Sequence, residues 1–462
     1  MGEKSIARKP PHCLVLSYPF QGHINPMLQF SKLLVHEGVK VTLATTRFFI
    51  KNLHNNSNNN LPPSISLESI SDGCDNGGIQ EAGGSYNAYI QRFWQVGPQS
   101  LVDLLEKLAK LGNPVDCIIY NSFLSWALDV AKRFGIVGAS YFTHSMAVNS
   151  IFYHVHLGKI KVPVIEDEVS LPSMPKLQLG DLPSFFLTYE EDGPVLEMLK
   201  GQFSNLDKAD WVFCNAIYEL DKEVVDWTTK IWPKYRTIGP NIPSKFLDKR
   251  VKEDEEYDVA QFKSEDYCIE WLADKPKGSV IYVSFGSMVP FDEEQLREIA
   301  YGLRNSDRYF LWVVRASEET KLPKDFVKKS EKGLIVTWCS QLKVLAHEAI
   351  ACFVTHCGWN SVLEALSLGV PTIAIPKWAD QSTNAKYIED VWKVGTRVPI
   401  DEKRIVRRED LNNCIKEMME SEKGEEIKRN AIEWRTLMTR AASEGGSSHK
   451  NVIEFVNSLF SL

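Results

Sequence analysis

The sequence predicts an α/β protein of two doubly wound domains. Three observations carry this. Short apolar runs alternate with longer stretches of helical character along the whole chain, the pattern of parallel strands joined by crossover helices. The length, 462 residues, exceeds one ordinary core, and suits two domains of about 200 residues each. Between the halves the composition shifts: Lys249–Asp258 is dense in charge and Glu253–Glu256 is an acidic run, read as a solvated linker within 245–265. The expected domains are 1–244 and 266–445, followed by a last segment, 446–462.

Taken in order, Cys13–Tyr18 is the first strand and Gln21-Gly22-His23-Ile24 its loop. Asn25 reads as the cap of a helix with Pro26 at its first position and Gly38 at its end. Val41–Thr45 is the second strand. The nicotinamide fingerprint, G-x-G-x-x-G with an acidic residue after the second strand, is missing, which disfavours a dinucleotide oxidoreductase. Asn55–Asn60 is a polar loop and Ser85–Leu111 a helix. Asp116–Tyr120 is a strand ending at Asn121-Ser122, Trp126–Phe134 a helix closed by Gly135, Ala139–Thr143 a strand, and Met146–Leu157 an apolar helix. Pro163, Pro172, Pro175 and Pro183 make 162–184 irregular, and Val212–Asn215 is a further strand. In the second half, Val280–Phe285 opens a new sheet, with Gly286-Ser287 at its end and a helix from Asp292 to Leu303. Strands Tyr309–Val314, Leu334–Thr337, Cys352–Thr355 and Thr372–Ile375 follow, and a last helix is expected over Lys450–Leu462.

Composition narrows the function. Net charge is −7 with no basic block, which argues against nucleic acid. Nine scattered cysteines without a CxxC pair fit reduced thiols and a cytoplasmic setting. No apolar run reaches membrane-spanning length. A monomer is expected.

The chemistry concentrates in Trp338–Gln381, WCSQLKVLAHEAIACFVTHCGWNSVLEALSLGVPTIAIPKWADQ. Two buried strands enclose a helix read as Ser361–Leu368, stopped by Gly369 and Pro371. The polar loop His356–Ser361 leads into that helix, whose free N–H groups and positive dipole end suit a diphosphate. This 44-residue stretch resembles the signature box of the plant secondary-product UDP-glycosyltransferases, glycosyltransferase family 1. PFQGHINP near the start and EGGSSHKN near the end extend the likeness over essentially the whole chain, which looks most like the group of salicylate, thiohydroximate and triterpenoid or steroid glucosyltransferases.

The resemblance implies the GT-B fold: two Rossmann-like domains facing across a cleft, the first binding the acceptor, the second the UDP-sugar, and the last segment crossing back onto the first. It implies Trp338 stacked on uracil, with Cys339 offering its backbone and Gln341 a hydrogen bond. His356, Trp359, Asn360 and Ser361 belong to the diphosphate loop, with Ser287 contributing from the first strand's end. Glu364 would take the ribose hydroxyls; Ser361-x-x-Glu364 also fits a capping box, which needs no ligand. Asp380 and Gln381 would bind sugar hydroxyls, the terminal Gln pointing to glucose. Trp378 lines the sugar or acceptor site, or is core. No D-x-D occurs anywhere, in keeping with a reaction that uses no metal and no cofactor beyond the co-substrate UDP-glucose.

His23 is the implied general base, taking the acceptor hydroxyl's proton during an inverting displacement. The family's aspartate partner is replaced by Asn121, in IIYNSFLSW. Candidate acceptor walls are Tyr18, Phe20, Trp94, Phe123, Met146, Phe186, Met198 and Phe203, together with Phe93, Tyr141 and Phe142; each could equally be core. The expected function is β-glucosylation of small lipophilic hydroxyl compounds by UDP-glucose. The alternatives are glucose-ester formation on small carboxylic acids, and a donor-binding protein with weak catalysis because of Asn121.

Overall fold

The structure is a computed structural model of the chain. It describes all residues except 1–8, 56–60, 188–192, 253, 255, 256, 258–266, 289, 325 and 327–331.

Two parallel sheets organise the chain. The first comprises β1 (His12–Leu16), β2 (Lys40–Thr46), β3 (Ile65–Ile70), β4 (Cys117–Asn121), β5 (Val137–Phe142), β8 (Trp211–Cys214) and β9 (Tyr235–Thr237), in the order β3-β2-β1-β4-β5-β8-β9. A small antiparallel ribbon, β6 (Glu168–Val169) with β7 (Leu177–Gln178), stands apart. The second sheet comprises β10 (Val280–Ser284), β11 (Tyr309–Val313), β12 (Gly333–Val336), β13 (Ile350–Thr355), β14 (Thr372–Ala374) and β15 (Gly395–Arg397), in the order β12-β11-β10-β13-β14-β15. Both wind outward from their first strand in two directions. The direction reverses between β1 and β4 and between β10 and β13, and ligands of open α/β sheets bind at the carboxyl ends beside such a reversal.

Period-two alternation divides the first core. Val15, Ile119, Tyr141 and Phe213 face one side, and Leu14, Ile118, Tyr120 and Phe142 the other. The last helix, Ser447–Phe460, packs on the first sheet's side: Phe455 meets Trp211 at 5.5 Å and Phe213 at 4.9 Å between ring centroids. No helix among the described residues is long and apolar enough to cross a membrane. All nine cysteines are buried, and none is in a disulfide.

Three differences from the sequence reading have local causes. The first helix is Gln21–His36, so QGH belongs to it, Pro26 lies inside it, and Asn25 is no cap. Strands β3, β6, β7, β9 and β15 were not legible: β3 is a partly exposed edge strand, β6 and β7 have two residues each, and β9 (YRT) and β15 (GTR) hold no continuous apolar run. The charged stretch is not simply a solvated linker. Asp254 is 5% exposed, pairs with Lys32 at 2.6 Å and accepts Ser244 N–H at 2.6 Å. A buried carboxylate needs such partners. Most of 255–265, and residues 56–60 of the polar loop, lie outside the described residues.

Candidate active site

The expected catalytic residues meet where β1, β4 and β5 end. His23 stands in the first turn of the helix after β1, its backbone N–H on Phe20 O at 2.9 Å. Asn121 is the last residue of β4 and Thr143 follows β5. Both reach one ring nitrogen: His23 Nδ1 lies 3.0 Å from Asn121 Nδ2 and 2.9 Å from Thr143 Oγ1. Asn121 Oδ1 accepts Phe123 N–H at 3.2 Å, and Asn121 Nδ2 also has Met27 Sδ at 3.9 Å. Around His23 the rings of Phe123, Tyr18 and His144 lie at 4.8, 5.4 and 6.4 Å. Burial, with His144 beside it, pushes the His23 pKa down from 6.5 to about 3, so the imidazole is uncharged at neutral pH.

Pro26 connects this centre to the second half. Having no N–H, it leaves the carbonyl four residues back, Gly22 O, without its helical donor. Asn360 Nδ2 donates to that carbonyl at 2.9 Å. A residue of the diphosphate loop thus holds the turn that carries His23.

The residues expected to bind the donor gather where β10, β12, β13 and β14 end. The helix after β13 is Trp359–Leu368, capped by Gly358 without a side-chain bond. Ser361 is therefore its third residue, and the capping box is not formed. Glu364, 4% exposed, instead accepts Gln341 Nε2 at 2.7 Å and Tyr257 OH at 3.2 Å. Burial raises its pKa to about 7. Gln341 Nε2 also meets Ser361 Oγ at 3.0 Å, and Gln341 Oε1 accepts Tyr282 OH at 3.3 Å. The neighbouring Cys339 thiol meets the same Tyr282 hydroxyl at 3.5 Å.

His356 lies between two glycines. A Cβ on Gly286 would meet its Nε2 at 2.7 Å and one on Gly358 at 2.6 Å, so only glycine admits the ring, and Gly286 also has φ +72°. Burial, with Arg315 adding to it, lowers the His356 pKa to about 4, so its ring is neutral at pH 7. Ser287 at the end of β10 is fixed through its carbonyl by Arg315 Nη1 at 3.0 Å. Cys357 and Ala379 hold φ of +66° and +57°, a conformation non-glycine residues adopt at a cost of about 1–2 kcal/mol. These two bends aim His356 and Asp380. Asp380 Oδ2 accepts Asn384 Nδ2 at 2.8 Å, and the Gln381 oxygen accepts the N–H of Lys377 and of Trp378, both at 2.9 Å, so its amide NH2 is what remains to offer.

Three of the expected side chains lie elsewhere. Trp359 is 4% exposed, and its Nε1 donates to Asn215 O of the first half at 2.8 Å. Its side chain is core of the seam between the halves, and only its backbone stays with the diphosphate loop. Phe203 rings with Phe142, Tyr153, His156 and Trp232, a cluster without His23. Tyr141 faces the other side of the sheet, its hydroxyl on Asn241 Oδ1 at 2.6 Å. Tyr18, Phe20 and Phe123 do stand together beside His23. Phe186 joins them at one remove, through Phe152 and His144. Met146 and Met198 are buried in the adjoining core, Trp94 packs against it half-buried, and Trp378 stacks edge-on with Phe185 at 5.2 Å.

Sequence reasoning missed Thr143, His144 and Tyr257. Thr143 and His144 follow a strand that pairs with the strand ending at Asn121, so parallel pairing of β4 with β5 was the available signal. His144 Nδ1 is enclosed with no hydrogen-bond partner. Tyr257 carried no signal, because it lies in the charged stretch.

Comparison with known proteins bears on the family and the fold. The family model described as UDP-glucoronosyl and UDP-glucosyl transferase matches residues 268–438. Mogroside I-E synthase of Siraitia grosvenorii is 46% identical over 96% of this chain and 97% of its own. Flavonol 7-O-beta-glucosyltransferase UGT74F1 of Arabidopsis thaliana is 44% identical over 97% and 98%. The crystal structure of Os79 from O. sativa in complex with UDP superposes with a TM-score of 0.90 at 36% identity, covering 97% of this chain and 100% of that one. The chain therefore belongs to the plant family 1 UDP-glycosyltransferases and is an enzyme of glycosyl transfer from a UDP-sugar on the GT-B fold.

Proposed function

We propose that the enzyme transfers glucose from UDP-glucose, with inversion, to a hydroxyl of a small lipophilic acceptor, and that His23 is the base. The acceptor oxygen attacks the anomeric carbon, its proton passes to His23 Nε2, and the bond to the diphosphate breaks with its electron pair leaving on UDP. The observation that carries this reading is the placement of one uncharged imidazole against an aromatic wall of Tyr18, Phe20 and Phe123, with the diphosphate loop tied to its helix through Asn360 and Gly22 O. Trp338, Ser287, His356, Ser361 and the start of the helix Trp359–Leu368 would hold UDP, the helix N-terminus stabilising the leaving charge by on the order of 1 kcal/mol. No metal ion or cofactor is proposed. Nine cysteines outside any disulfide support a reducing, cytoplasmic setting.

The donor assignment rests on Asp380 and Gln381, both held by their own loop. UDP-glucose is expected to exceed UDP-galactose in kcat/KM by about tenfold or more, the scale of one misplaced polar contact. A donor panel with a fixed phenolic acceptor measures this, and equal values would remove glucose specificity from the reading.

Glu364 gives an independent test of donor binding. Its folded pKa, about 7, stands above the ordinary 4.5, so its contribution to the stability of the empty protein is full below pH 4.5 and is lost as pH rises through about 7. Ribose hydroxyls donating to the carboxylate favour its charged form. UDP binding at pH 7 is therefore expected to release a fraction of a proton, seen by calorimetry in two buffers of different ionisation enthalpy. Glu364→Gln should abolish the release and weaken UDP; a release unchanged in that variant would move the ribose away from Glu364.

A further inference from the structure

Asn121 cannot do for His23 what a carboxylate does, and the structure shows why. An amide has one accepting atom, and here Phe123 N–H, which can only donate, occupies that oxygen at 3.2 Å. The NH2 is thereby turned to the ring, 3.0 Å from Nδ1, with Met27 Sδ at 3.9 Å near it. Reversing the amide would set its NH2 against the backbone N–H of Phe123, leaving a buried donor without an acceptor. Asn121 is fully buried, so no solvent relieves that conflict.

The direction of this contact matters for catalysis. A neutral histidine carries its proton on one ring nitrogen only. The Asn121 NH2 favours a bare Nδ1, which puts the proton on Nε2 and leaves no lone pair for the acceptor's proton. The base form needs Nδ1–H, and Nδ1–H needs an acceptor. The other group at Nδ1 is the Thr143 hydroxyl, at 2.9 Å, and a hydroxyl oxygen can accept. Thr143 is 5% exposed, in the residue immediately after β5, beside the end of β4. The remaining titratable neighbours, Tyr18 and His144, approach His23 through their rings at 5.4 and 6.4 Å.

We propose that Thr143 is the positioning residue of the reaction: its hydroxyl accepts the Nδ1 proton of His23 and keeps Nε2 free for the acceptor, while Asn121 pulls the ring toward the opposite tautomer. The proposal rests on His23 being the base. As the acceptor's proton arrives at Nε2, the Thr143 oxygen remains the only one of the two groups able to hold Nδ1–H.

The test is a double-mutant cycle read with a hydroxyl acceptor. Thr143→Val removes the hydroxyl and keeps the shape. It is expected to lose about 10²-fold in kcat with UDP affinity unchanged, less than the roughly 10⁴-fold that a wrong histidine tautomer costs a serine protease. Thr143→Ser should recover most of the loss. In an Asn121→Asp background the carboxylate accepts Nδ1–H, so Thr143→Val should cost less than about threefold there, and the acid limb of the pH profile should move upward because the carboxylate stabilises the imidazolium. An equal loss in both backgrounds would place the hydroxyl's work elsewhere and overturn the proposal, as would full turnover by Thr143→Val. Should the valine variant fail to fold, Thr143→Ala in the same two backgrounds yields the same comparison. His23→Ala separates the two readings. If it keeps turnover, the base assignment itself falls; if it is dead while Thr143→Val is active, only the role of Thr143 falls.

Discussion

His23→Ala is expected to lose about 10²–10⁴ in kcat with a hydroxyl acceptor, the share a positioned base contributes. UDP affinity should hardly change. The residues assigned to UDP come from the second half, and the contact that ties the two halves at this point runs through the Gly22 carbonyl, which alanine at 23 leaves in place. The pH profile adds a second reading of the same residue. Burial and His144 hold the His23 pKa at about 3, so its uncharged form persists far below neutrality. kcat/KM for a hydroxyl acceptor should stay flat from pH 8 down to about 5, where a histidine titrating near 6.5 would already have lost most of its base form. Full turnover by His23→Ala with an alcohol would remove the residue from the mechanism. A fall in kcat/KM centred near pH 6.5 would show that His23 of the free enzyme titrates as an ordinary histidine and that burial does not hold it uncharged.

Trp359→Ala is expected to destabilise the protein by about 3–5 kcal/mol, the range for truncating a buried aromatic side chain. The indole fills the seam between the halves beside Trp392, at 6.1 Å between ring centroids, and its N–H goes to Asn215 O. Trp359→Phe keeps most of the volume but leaves that carbonyl without its donor, at about 1–3 kcal/mol. Denaturant unfolding of both variants, alongside UDP titration, distinguishes a seam residue from a donor ligand. A Trp359→Ala variant with unchanged unfolding midpoint and lost UDP affinity would return the side chain to the donor site.

The two-sheet architecture was legible along the chain, and so was the polar box Trp338–Gln381 as a candidate donor site. Parallel strands buried on both faces read as continuous apolar runs, so β1, β2, β4, β5, β8 and β10 through β14 were legible within one or two residues. The polar residues at the ends of β10, β12, β13 and β14 were legible as a candidate donor site, because a strand, a short turn and a helix start form a local pattern suited to a diphosphate. What periodicity did not reach were the edge strand β3, the two-residue β6 and β7, and β9 and β15, whose sequences YRT and GTR hold no continuous apolar run.

Only the tertiary structure decided which atoms meet. Asn121 was visible as a departure at the end of β4, but the orientation of its amide depends on a backbone N–H two residues on and on a histidine 98 residues away. Thr143 and His144 join the centre because β5 lies beside β4 in the sheet. Trp359 looked like a donor residue because it stands in the box, and it is seam because the first half presents the Asn215 carbonyl to it. Pro26 read as the start of a helix, whereas inside one it frees the Gly22 carbonyl for Asn360, 338 residues further along the chain. Hydrophobic period and turn chemistry are short-range and can be read along a chain. Hydrogen-bond direction, tautomer and seam packing are set by groups far apart in sequence, and they exist only once both halves have folded against each other.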